Sequence, residues 1–194
     1  MSIRSKTRKI KLTNTPMYEP NKWNSNKYVK KSHNCYAYAL NLIDSKQTTH
    51  CKQMNRTKKM NCPRPQPGYY SGYKDNFDAK KVTCNRIEER MMKDNPSIRK
   101  LKKNQPCPIG FYKMMLYVAN DGSDYHFFRQ DNTGLWSHKD GWRLATNHDS
   151  KDKMIHHPTL AYKGKYTVPC GTYAVPIASN KHMASKIECK TYKK

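Results

Sequence analysis

The sequence predicts an α+β domain in which helices come first and antiparallel strands follow. Three observations carry this expectation. Residues 32–44 and 84–94 hold helix-compatible runs, SHNCYAYALNLID and CNRIEERMMKD. From Pro108 onward the texture changes to short aromatic and apolar runs separated by turn signals. No internal repeat breaks this order, and no apolar run approaches the ~20 residues that span a membrane.

Taken in order, residues 1–31 carry nine Lys/Arg against one acid, Glu19, and read as a basic, extended arm. Asn34 can cap a helix from Cys35 to about Asp44. Tyr36, Leu40 and Ile43 would form its core face, while Ala37 and Ala39 let a sheet approach closely. A polar stretch then ends in the Pro/Gly-rich loop CPRPQPGYYSG, 62–72. The helix over 84–94 is interrupted by Asn95-Pro96, ahead of a basic turn, SIRKLKKN. GFYKMMLYVAN (110–120) is a strand, with Asp121-Gly122 marking the turn after it. YHFFRQ (125–130) and LWSHK (135–139) are the arms of a hairpin joined through DNTG. GTYAVPIA (171–178) is a further strand, its Pro176 suggesting a sheet edge. The chain therefore divides into a basic arm (1–31), a domain (32–180) and a basic tail (181–194).

Composition narrows the function classes. Thirty-eight Lys+Arg against 14 Asp+Glu give a net charge of +24, a surface drawn to nucleic acid or other polyanions. The opening MSIRSKTRKIKL lacks a hydrophobic signal core, which predicts a cytoplasmic or virion location and mostly reduced thiols. Seven cysteines include no C-x-x-C pair and no zinc-module spacing. His148, His156 and His157 lack a Cys or Glu at ligand spacing, so neither a metal nor another cofactor is expected.

The chemistry-bearing residues are Cys35, His126 and His138. A thiol hydrolase needs a sulfur nucleophile, an imidazole to move its proton and a third group to orient that imidazole. Cys35 opens a helix, where unpaired N–H groups and the dipole favour a thiolate, so rapid alkylation near pH 6 is expected. Hairpin parity decides whether the two histidines can cooperate. A two-residue turn at Asn132-Thr133 would put them on opposite faces. A three-residue loop with Gly134 left-handed pairs Asp131 with Leu135 and sets His138 opposite Phe128. His126 is then its diagonal neighbour on the same face, about 7–8 Å away between Cα atoms. Gly134 favours this second arrangement. His33 stands close to Cys35 in sequence, but the two point in divergent directions at a helix start.

Cys-Tyr-Ala-Tyr-Ala resembles the Cys-aromatic-Ala-aromatic opening of the papain-like nucleophile helix. Together with two histidines about twelve residues apart across a hairpin, it is similar to the Cys–His–His arrangement of NlpC-like cysteine peptidases and amidases. NCYAYAL, PQPGYYSG and DYHFFRQDxxGxWSHKxG also resemble papain-like proteins of bacteria and large DNA viruses. The likeness covers roughly residues 33–142. It implies a nucleophile helix packed on an antiparallel sheet, with Cys35 as nucleophile, His126 as base and His138 as orienting group. A peptide or other amide-containing substrate is implied. Two departures stand out. Val29 and Lys30 occupy the region of papain's oxyanion glutamine, and the Asp-Cys-Ser-Gly of NlpC-like enzymes is here Asn-Cys-Tyr-Ala. The Cys35 N–H can serve as one oxyanion donor, with Asn34, Asn26 and Tyr69 as candidates for the second. The alternative is an inactive domain of this fold acting as a basic virion or nucleic-acid-binding protein. Its composition of 29 Lys, 16 Asn and 14 Tyr against 8 Gly suggests AT-rich coding.

Overall fold

Asn34 begins the helix that carries the thiol. Its side chain accepts a hydrogen bond from the Ala37 N–H, capping α3 (Cys35–Ala39). The helix stops after five residues, well short of the expected Asp44. Asn41 adopts a left-handed φ of 51°, and Leu42 and Asn41 donate back to Ala37 and Tyr38 carbonyls. This is a Schellman termination with asparagine in the usual glycine position.

A computed structural model describes residues 15–56, 62–73 and 82–177. The C-terminal tail, Cys189 and the first fourteen residues of the expected arm lie outside the described residues. The remainder of that arm is not extended. It forms α1 (Pro20–Asn24) and α2 (Lys27–Ser32), and Trp23 is buried against Val29, Tyr38 and Ala145. Pro20 at the first helical turn and Asn26 as N-cap start these helices. The polar stretch after α3 contains α4 (Ser45–Arg56), which buries only Gln47 and Cys51. α5 (Cys84–Asp94) follows the expected bounds and is capped by Thr83.

Six strands form one antiparallel sheet. They are β1 (Arg99–Leu101), β2 (Phe111–Val118), β3 (Tyr125–Gln130), β4 (Trp136–Lys139), β5 (Ala145–Thr146) and β6 (Val168–Pro176). Their order is β1-β6-β2-β3-β4-β5, with every pairing antiparallel. The basic turn after α5 is thus the short edge strand β1. β6 lies inside the sheet, and Pro176 is tolerated because it is the final residue of the strand, paired with Phe111. The hairpin takes the three-residue form: Asp131 N–H donates to the Leu135 carbonyl, Gly134 has φ 84°, and Phe128 pairs with His138.

One sheet face packs on α3 and α5 through Tyr36, Leu40, Ile87, Met91, Leu116 and Phe127. Tyr36 also donates to Asp94, which accepts from the Gly68 and Ser71 amides and so anchors the 62–73 loop. Four cysteines are joined in disulfides, Cys51–Cys62 and Cys84–Cys170, which corrects the expectation of mostly reduced thiols. Cys35 and Cys107 remain free among the described residues.

Arg129 ties the hairpin to the N-terminal segment. Fully buried, it bonds Asp131 at 3.0 Å and reaches the Tyr38 and Met17 carbonyls, the Tyr38 hydroxyl and Asn41. Its guanidinium also lies 4.3 Å from the Tyr38 ring centroid. Arg129→Met leaves the Asp131 carboxylate buried without its cation. Urea denaturation should show a loss of about 3–5 kcal/mol; a loss under about 1 kcal/mol would contradict this role.

Candidate active site

β4 pairs with β3 only from Phe128 to Gln130, so the edge of β3 at Tyr125 and Phe127 is open on that side. The start of α3 occupies it. The Cys35 thiol donates to the Tyr125 carbonyl across 4.0 Å, and the Phe127 N–H points at the sulfur. The nucleophile candidate is therefore lodged against the backbone on both sides of His126. Cys35 and His126 border one cleft of about 310 Å³, together with Asn34, Arg64, Gln66, Asp124, Asp140, Trp142 and Tyr166. The thiol bonds the strand backbone rather than the imidazole in this structure.

His126 and His138 are brought together as hairpin parity predicts, with 2.7 Å between His126 Nε2 and His138 Nδ1. Their tautomers follow from the next partner along. His138 Nε2 lies 3.0 Å from the His148 carbonyl, which can only accept, so His138 carries its proton on Nε2. Neutral His138 then accepts at Nδ1, and His126 must donate from Nε2. The Nδ1 of neutral His126 is left with a lone pair, as a base requires. Burial keeps both rings neutral: it pushes His126 well below the ordinary histidine value, with His138 adding to the shift, and lowers His138 as well.

The thiol is neutral too. Burial pushes the Cys35 thiol up to about 12, and the Asp124 and Asp140 carboxylates add to the rise against the Phe127 amide and Lys139. The helix-start position does not supply the expected thiolate. A five-residue helix has little dipole to offer, and desolvation outweighs it. Lys139 is itself fully buried, its ammonium donating to the Lys30 and Gly141 carbonyls. Burial lowers it to about 7.

The candidates for a second oxyanion donor fare poorly. Asn34 borders the cleft, but its amide donates to the Pro65 carbonyl and the Tyr125 hydroxyl. Asn26 caps α2, and Tyr69 pairs with Gln47; neither lines the cleft. The 62–73 loop contributes Arg64 and Gln66 instead, with Gln66 Oε1 accepting from Tyr125 and Nε2 donating to the Arg64 carbonyl. His33 is a structural residue: its Nδ1 bonds the Val29 carbonyl and its Nε2 accepts from the Asp44 N–H. Sequence reasoning also missed Tyr166, which stacks on His126, and Asp124 behind it. The Asp124-Tyr125-His126 succession was the available signal for Asp124; Tyr166 had none. Among the described residues no three His, Cys, Asp or Glu side chains gather as a metal site, and no helix is long and apolar enough to cross a membrane.

No family model and no solved structure matches the chain. It is similar to the curated "Insoluble matrix shell protein 1" of Ruditapes philippinarum. The two are 29% identical over 153 residues, 77% of this chain and 83% of the relative.

A neutral thiol fixes the pH response. Iodoacetamide should alkylate Cys35 more slowly than Cys107 near pH 7, with the Cys35 rate climbing about tenfold per pH unit from about pH 6 to about pH 10. A flat, fast plateau between about pH 5 and about pH 8 would reveal a thiolate–imidazolium pair instead.

Proposed function

We propose that the chain is a thiol hydrolase or acyl transferase of papain-like, NlpC-like architecture, acting on an amide or isopeptide bond through Cys35, His126 and His138. The observation that carries this reading is the 2.7 Å His126–His138 bond, whose tautomers leave His126 Nδ1 free to accept in the cleft that also holds the thiol. The short helix with cysteine at its start, packed on an antiparallel strand that carries the histidine as its second residue, supports the fold assignment.

In this mechanism the substrate carbonyl binds over the sulfur. As Sγ attacks, the thiol proton passes to His126 Nδ1, so charge separates only when the carbonyl is in place. The oxyanion meets the Cys35 N–H, which has no intrahelical acceptor, and the Gln66 amide is the cleft's remaining side-chain donor of that type. His126 then protonates the leaving amine, and a thioester remains on Cys35. Water, deprotonated by His126, releases the acid; an amine in its place would complete a transfer. The two disulfides fit an oxidising compartment better than the cytoplasm.

A second reading has support of its own: a basic scaffold that binds polyanions. It rests on the +24 charge and on the likeness to a protein named for an insoluble shell matrix. Affinity for DNA that falls steeply with salt and ignores Cys35→Ala would favour it.

The enzyme reading is tested with p-nitrophenyl acetate and intact-mass analysis. One acetyl group should appear on Cys35 with a burst of nitrophenol. Cys35→Ala should abolish the burst, and His126→Ala should slow it by about 10²–10⁴-fold. Equal acetylation of Cys107, or a burst indifferent to His126, would overturn the assignment.

A further inference from the structure

A buried imidazole that accepts a proton needs its new charge stabilised, and the usual source, a carboxylate on the far nitrogen, is missing here. The far nitrogen of His126 meets neutral His138, which leads only to a backbone carbonyl. His126 is 2% exposed, so water supplies little. What lies against the ring is Tyr166, stacked with centroids 4.9 Å apart and planes 25° from parallel. Phe128 and His138 meet the ring in T-shaped contacts, each also 4.9 Å between centroids.

We propose that neutral Tyr166, polarised by Asp124 behind it, is a positioning residue that holds His126 and stabilises its protonated form through the tyrosine π-face. The face of an aromatic ring is electronegative and attracts a cation. The Tyr166 hydroxyl donates to Asp124 Oδ2 at 2.8 Å, which increases electron density in the ring. Asp124 is itself held by the Tyr125 N–H, so the arrangement is fixed from the strand that carries His126. The other charged and titratable groups around the site are Cys35 from α3, Tyr117 opposite His126 on β2, Asp140 and Arg143 after β4, Asp149 near His138, Arg64 from the 62–73 loop, Lys165 paired with Asp124 at 3.2 Å, and buried Lys139. None of these hydrogen-bonds either imidazole, and the Lys165 ammonium lies 5.5 Å from the Tyr166 ring centroid. The inference rests on His126 being the base in the reading above, but its physical content is the protonation of His126 alone.

Nitrogen-15 NMR of the histidine side chains, titrated in Cys35→Ser, reads that protonation even if the thiol is inert. Tyr166→Leu should lower the His126 pKa by about one unit relative to Cys35→Ser alone, a tenfold change in protonation. Tyr166→Phe and Asp124→Asn should each produce part of that fall, and Tyr166→Trp should restore the value. In the Cys35 protein the acid limb of the acetylation profile should move with them. The Phe and Trp variants keep the packing, so they decide the matter should Leu disturb the fold. A His126 pKa that is the same in all variants would overturn the proposal, as would Phe and Trp behaving like Leu. Loss of acetylation with the NMR shifts intact would count against the hydrolase reading and leave this inference standing.

Discussion

Everything at the site depends on the register of one hairpin. Side chains alternate faces along a strand, so slipping β4 by one residue against β3 would send His138 to the opposite side from His126. The three-residue loop prevents that slip. Asp131 closes onto Leu135, and Gly134 takes the left-handed conformation that a side chain would strain. Arg129 locks the same hairpin to α3 and to the N-terminal segment by bonding Asp131, Tyr38, Asn41 and Met17. From the register follow the His126–His138 bond, its tautomers and the lone pair on His126 Nδ1. The early end of β4 then leaves the open strand edge into which α3 fits the thiol.

The electrostatic character of the site contrasts with that of the whole molecule. The chain carries +24, yet burial drives the Cys35 thiol up and both imidazoles down, so all three groups are uncharged at rest. The same burial couples the site to stability. His33, His126 and His138 all hold protons less readily than an ordinary histidine at 6.5. As pH falls below that value the unfolded chain takes up protons that the folded chain refuses. Their contribution is therefore present above about pH 6.5 and is lost on acidification. Stability and the proposed chemistry would thus draw on the same two neutral rings, His126 and His138.

Much of this was legible in sequence, for reasons that differ by residue. The hairpin register could be derived because parity and a single glycine settle it. Asn34 as cap and the bounds of α5 followed from short-range chemistry. α4 was not legible, because its polar sequence buries only two side chains and shows no strong apolar stripe. The helix after Cys35 was overextended because Asn41 can act as a left-handed terminator, a role usually read from glycine. The disulfides could not be deduced, since pairing depends on which elements the fold brings together. Tyr166 reaches His126 only because the segment before β6 folds back over the sheet, and no local pattern announces that.

The protein described by these contacts is a small α+β domain in which, among the described residues, the one buried free thiol borders the same cleft as His126, whose ring is oriented by His138. The central claim is the proton arrangement along that pair, and long-range nitrogen–proton NMR correlation of the histidine rings in the native protein tests it directly. Both His126 and His138 should appear as the neutral tautomer protonated on Nε2 at neutral pH. A His126 ring protonated on Nδ1, with its lone pair turned toward His138, would contradict the account, because no base would then face the cleft.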